Sequence, residues 1–206
     1  DLERLVETST GGRGVRLAFG HSFGGNIVLA LAERRPDLIG RVAIYETPLS
    51  WMPWWPDNTA GGAALDSGDG ADAAEAFMRR LVGDDKWERL PRATREARRA
   101  EGVAMVDELA DLRRAAPWDG DRLMRPLLVM RGERAHPHHQ LGAAAMPDLV
   151  AGCRLLTIDG AGHVGPNTHA DAVAAALVDF LEDGAGPLSP PARNDALRRV
   201  PRPAGG

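Results

Sequence analysis

The chain has 206 residues, 44% of them apolar, enough to bury a substantial core, and one domain is the default expectation. A net charge of −4 gives no electrostatic ground for a nucleic-acid partner, and no apolar run approaches the ~18 residues of a membrane span. Cys153 is the only cysteine, which excludes an internal disulfide and a cysteine-based metal cluster. It also fits a reducing compartment, and the localisation taken as default is cytoplasmic.

In chain order, Leu2, Leu5 and Val6 share one face of a predicted helix that glycines at 11, 12 and 14 close. Residues 15–19 read as a strand feeding the pattern Gly20-His21-Ser22-Phe23-Gly24, and residues 26–34 as a nearly all-apolar helix. A serine between a buried strand and a helix can sit on a tight turn with its hydroxyl exposed. Gly20 and Gly24 are expected there because side chains would collide as the backbone doubles back. Pro36 and Asp37 stop the helix, and Val42–Tyr45 is a second strand closed by Glu46-Thr47-Pro48, which makes a parallel βαβ unit.

Residues 51–56 hold three tryptophans, a methionine and two prolines; they read as a loop, either packed on the domain or forming an apolar wall for a ligand. Residues 58–70, rich in Gly, Ala and Asp, read as a flexible loop. Residues 71–114 are helical, broken by Pro91, with arginines and acids alternating on a solvated surface. A helical insertion of about residues 50–120, lying over the sheet as a lid, is the expectation. Strands follow at 126–130 and Arg154–Ile158, separated by a helix at 138–150 that Pro147 interrupts. Thr168 is the expected cap of a last helix at 170–181. The predicted core is therefore residues 1–183, and residues 184–206, rich in Pro, Gly, Ala and Arg, are expected to be a disordered tail.

Alternating strands and helices imply an α/β fold with a parallel sheet, whose reactive side chains lie beyond the carboxyl ends of the strands. Ser22, Glu46 or Glu133, and His163 stand at such ends, in an order that suits a nucleophile, an orienting acid and a base. His136, His138 and His139 are interrupted by Pro137 and joined by no cysteine, so no metal is expected. His21 is expected to pack near the site, His169 to lie at the surface, and Cys153 to be a small buried residue.

The elbow at 20–25, the strand running into Arg131-Gly132-Glu133, and Asp159-Gly160-Ala161-Gly162-His163 together resemble the C-terminal part of an α/β-hydrolase-fold protein, over about residues 1–181. The resemblance implies that Ser22 is the nucleophile, His163 the base, and the N–H of Phe23 half of an oxyanion hole. The family usually carries its acid as Asp after the 126–130 strand, where this chain has Gly132-Glu133-Arg134-Ala135. Some members place it after the strand following the nucleophile helix, where Glu46 stands. Glu46 is the first choice here and Glu133 the second. The family also has several strands and a His-Gly turn before the elbow; here one helix and a glycine-rich turn precede Val15, so a partial fold with an exposed elbow-strand edge is expected.

Serine at the elbow speaks against the family's dehalogenases and epoxide hydrolases, which use an aspartate. The expected function is a serine hydrolase acting on a small, apolar carboxylic ester, with no cofactor and no nucleic-acid or membrane partner. The alternatives are a C–C hydrolase or cofactor-free haloperoxidase-like enzyme, or a truncated or degenerate non-catalytic homologue. Nothing in the sequence sets the oligomeric state.

Overall fold

The computed structural model describes residues 2–67 and 70–183; the tail expected at 184–206 lies outside them. The chain runs through α1 (Leu2–Thr10), β1 (Ala18–His21), α2 (Phe23–Arg34) and β2 (Val42–Tyr45). Then come α3 (Ala60–Leu65), α4 (Gly70–Val82), α5 (Asp84–Arg89), α6 (Arg92–Ala100) and α7 (Gly102–Arg114). A 3-10 turn at Gly120–Arg122 leads to β3 (Leu127–Gly132), α8 (Pro137–Leu149), β4 (Arg154–Ile158), α9 (Gly165–Thr168) and α10 (Ala170–Glu182). Contacts cluster into two units, one made of Asp1–Pro48 with Pro117–Gly206, the other of Leu49–Ala116.

The first unit is built on a parallel sheet in the order β1-β2-β3-β4. Strand β2 is buried along its whole length, as its unbroken apolar run requires. Its alternate residues Ala43 and Tyr45 join Leu128, Met130, Ile158, Val173 and Phe180 in one core cluster. Phe180 is 1% exposed, and truncating such a ring to alanine costs about 3–5 kcal/mol. Helix α2 buries Val28, Leu29, Leu31 and Ala32, and ends where Pro36 cannot continue it.

β1 begins at Ala18 rather than Val15, because its partner β2 begins at Val42, opposite Ala18; Val15 makes only an isolated bridge to Ile39. Among the described residues no strand pairs with the outer edge of β1, and Phe19 and Ile27 are 36% and 43% exposed. Helix α1 buries none of its residues. Its Leu2 and Val6 are half-buried, and Arg35 Nη1 donates to its Glu3 and Glu7 at 2.6 Å each.

Two expected boundaries move. Helix α8 passes through Pro147, which lies in its last turn, where the missing N–H removes only one bond before the helix ends. Thr168 closes α9 rather than capping α10, because Pro166 starts a helical turn earlier; its hydroxyl lies 2.9 Å from Nδ1 of His169, the N-cap residue of α10.

In the second unit, residues expected as a flexible loop contain α3, whose small side chains allow close packing and whose start is capped by Thr59 Oγ1 accepting from the Gly62 N–H at 3.1 Å. The charged surface of α4 to α6 is solvated, as expected, and cross-linked by ion pairs. Arg79 pairs with Glu75 and with Glu88, which also holds Arg95, and Arg99 pairs with Asp72 and Glu75. Trp87 is buried. In the tryptophan-rich loop Met52 and Trp55 are buried, and Trp54 is exposed.

Candidate active site

The sheet register carries the candidate site residues to one end of the sheet. His21 pairs with Tyr45 and Tyr45 with Met130, so the residues that follow each strand emerge side by side. The ladder runs one residue further: Ser22 N donates to Tyr45 O at 2.8 Å, and Glu46 N to Met130 O at 3.0 Å.

Ser22 has φ +54° and ψ −128°, a conformation rarely adopted by a residue with a side chain. The turn is held by close approaches. A side chain at Gly20 would place its Cβ 2.4 Å from Gly24 O, and one at Gly25 would meet Thr47 Oγ1 at 1.8 Å. A Cβ at Gly24 meets nothing within 4 Å. The steric need expected at Gly24 therefore falls on Gly25, where α2 lies against the segment after β2. Buried Asn26 ties the same two segments, donating from Nδ2 to Pro48 O at 2.9 Å and accepting from Trp118 Nε1 at 2.8 Å. Phe23 is the first residue of α2, where an amide has no acceptor within its own helix.

Glu46 is the other non-glycine residue with positive φ, at +45°, among the described residues. Its side chain is fully buried, yet both oxygens are satisfied. Oε1 accepts from the Gly132 N–H at 2.9 Å, and Oε2 lies 2.9 Å from His163 Nδ1. Glu133 goes elsewhere, its Oε2 accepting from the Gly160 N–H at 2.8 Å. Glu46, and not Glu133, is therefore the carboxylate in contact with His163. Among the described residues no hydrogen bond joins Ser22 Oγ to His163.

The loop carrying His163 is pinned from three sides. Tyr45 Oη donates to Gly162 O at 2.9 Å, Arg134 N to Ala161 O at 2.8 Å, and His21 Nε2 lies 2.7 Å from His163 O. Burial and the neighbouring Glu46 push the Tyr45 phenol up to about 12, which keeps its proton available for that bond. Burial and then His163 lower His21.

Two further rings flank His163. His21 lies with ring centroids 4.9 Å away at 45°, and His139, from the first turn of α8, is stacked at 4.6 Å and 15°. The sequence groups His139 only with His136 and His138; the spacing of three histidines at a helix start carries no sign of which one turns inward. Cys153 has its thiol pushed up to about 11 by burial.

Glu46, His139 and His163 each bring one potential ligand atom within 4.8 Å of the others. The two imidazoles are nearly parallel, so their lone pairs do not converge, and both Glu46 oxygens already accept hydrogen bonds. The trio does not fit a tetrahedral metal site. None of the described helices is long and apolar enough to cross a membrane.

Comparison with known proteins follows the same lines. The chain is 27% identical over 185 residues to polyketide synthase ThaQ of Burkholderia thailandensis, covering 84% of this chain and spanning 9% of that protein's length. Among solved structures it resembles the enol-lactonase from Burkholderia xenovorans LB400, with 26% identity, TM-score 0.54, and coverage of 86% of this chain and 69% of that one. It shares its fold with 2-hydroxy-6-oxo-6-phenylhexa-2,4-dienoate hydrolase from Rhodococcus sp. strain RHA1, at 17% identity, TM-score 0.61, and coverage of 86% and 67%. The model of the Alpha/beta hydrolase family matches residues 1–176, and with the strand–elbow–helix turn and the parallel sheet behind it, this chain belongs to the alpha/beta hydrolase family.

Proposed function

We propose that the chain is a serine hydrolase that cleaves small carboxylic esters through Ser22, His163 and Glu46. The observation that carries this reading is the contact between the buried Glu46 carboxylate and His163 Nδ1, at the same end of the sheet as the strained Ser22. Glu46 accepts a hydrogen bond from Nδ1–H, which keeps the proton on that nitrogen and leaves Nε2 unprotonated and able to take the proton of the Ser22 hydroxyl. Ser22 Oγ then attacks the ester carbonyl, and the positive charge on His163 is balanced by Glu46. The Phe23 N–H, at the start of α2, donates to the oxyanion of the tetrahedral intermediate. His163 returns the proton to the leaving alcohol, and water repeats the sequence on the acyl-enzyme. The Ser22–His163 hydrogen bond forms on substrate binding, as catalytic hydrogen bonds commonly tighten in the complex.

The likeness to an enol-lactonase supports ester cleavage over carbon–carbon cleavage. The test is labelling with a fluorophosphonate probe followed by peptide mass mapping. An adduct on Ser22, absent in Ser22→Ala, is the expected result. Folded protein that takes no label would overturn the reading in favour of a non-catalytic homologue.

A further inference from the structure

His139 is 8% exposed, and its ring lies parallel to that of His163, with centroids 4.6 Å apart and 15° between planes. It enters from the first turn of α8, an element otherwise packed through Gly142, Ala143 and Met146. An aliphatic side chain would fill such a space without the cost of burying a polar ring. What a ring adds is a flat, polarizable face laid along the face of His163. With Glu46 on Nδ1 and His21 on the backbone carbonyl, His163 is then held at one edge, at its main chain and on one ring face.

We propose that His139 is a positioning residue, whose ring is a platform that keeps the His163 imidazole in the plane of its bond to Glu46. This rests on the reading of Ser22, His163 and Glu46 given above. A platform beside a ring that becomes positive must itself stay uncharged, since two imidazolium faces in contact repel. The groups around His139 meet that need. Burial, then His163 beyond β4, His138 and His136 at the start of α8, and His21 at the end of β1 push it down to about 2. Glu46 at the end of β2 spends its oxygens on His163 and Gly132.

The test compares His139→Phe, which keeps a flat neutral ring, with His139→Leu, which keeps bulk alone. Two readouts are taken on the whole chain: the downfield proton resonance of His163 Nδ1–H, assigned by its disappearance in Glu46→Gln, and the rate of fluorophosphonate labelling across pH. We expect His139→Leu to lose the resonance and slow labelling at least about tenfold, and His139→Phe to keep the resonance and stay within about threefold, because a misplaced catalytic group costs rate steeply. The acid limb of the labelling profile in His139→Phe should overlay that of the unmodified chain. A folded Leu variant that keeps both readouts would make the ring a core filler and overturn the proposal. So would a folded Phe variant that loses the resonance or moves the acid limb, and this arm decides the matter if the Leu variant does not fold. If the unmodified chain takes no label while the resonance still follows the ring, the nucleophile reading fails and the hold of His139 on His163 stands.

Discussion

Glu46 Oε2 meets His163 Nδ1 at 2.9 Å across 117 residues of chain, and its other oxygen is occupied by the Gly132 amide. A buried carboxylate with both oxygens engaged has one orientation available, so the imidazole it touches inherits that orientation. Glu133, at the end of the neighbouring strand, is engaged by Gly160 instead.

Glu46→Gln keeps an acceptor for Gly132 but presents an amide N–H to Nδ1, which favours the wrong imidazole tautomer. The expected outcome is a fall in kcat of about 10³–10⁴ with little change in KM, whereas Glu133→Gln stays within about threefold. Steady-state hydrolysis of a p-nitrophenyl ester measures both, and equal losses would remove the distinction between the two acids.

Gly25→Ala drives a Cβ into Thr47 Oγ1, and the overpacking should cost about 1–3 kcal/mol. Gly24→Ala enters open space on a helix and should be neutral or stabilising by up to about 1 kcal/mol. Thermal denaturation of the two variants should rank them in that order. Adding Thr47→Ala to Gly25→Ala should recover part of the loss.

Asn26→Ala leaves Pro48 O and Trp118 Nε1 without their buried partner, at a cost of about 1–3 kcal/mol each at most. Urea unfolding should show the midpoint falling without a change in slope.

Acid should destabilise the fold through His139. Its folded pKa lies near 2 against 6.5 for the free group, so below about pH 6.5 the unfolded chain takes up a proton that the folded chain refuses. The unfolded state then binds more protons, and stability falls as pH drops through that window, by up to ~1.4 kcal/mol per pH unit for one site. His21 and His138 are lowered as well and act in the same sense. Denaturant unfolding at about pH 7 and pH 5 should show a smaller difference for His139→Phe than for the unmodified chain. An unchanged difference would assign the acid sensitivity elsewhere.

Much of this was legible locally. The apolar runs that become β2 and β3 announced themselves because central parallel strands are buried on both faces, whereas β4 is an edge strand with most of its residues exposed, and Ser22 was marked by its place between strand and helix. Helix α3 was missed because its glycines and alanines read as loop until the packing that small side chains permit is seen. Gly24 was given the role that belongs to Gly25, since which glycine faces a neighbour depends on where Thr47 lies after β2. His139 could not be separated from His136 and His138 by spacing.

By itself the sequence determined that a strained serine would stand at the end of a parallel strand, and that acids and a histidine would end the strands beside it. Local backbone preference and strand polarity suffice for that. Only the tertiary structure decided which carboxylate and which ring touch His163. Those contacts join residues far apart in the chain, and they depend on sheet register and helix placement accurate to less than the reach of a side chain.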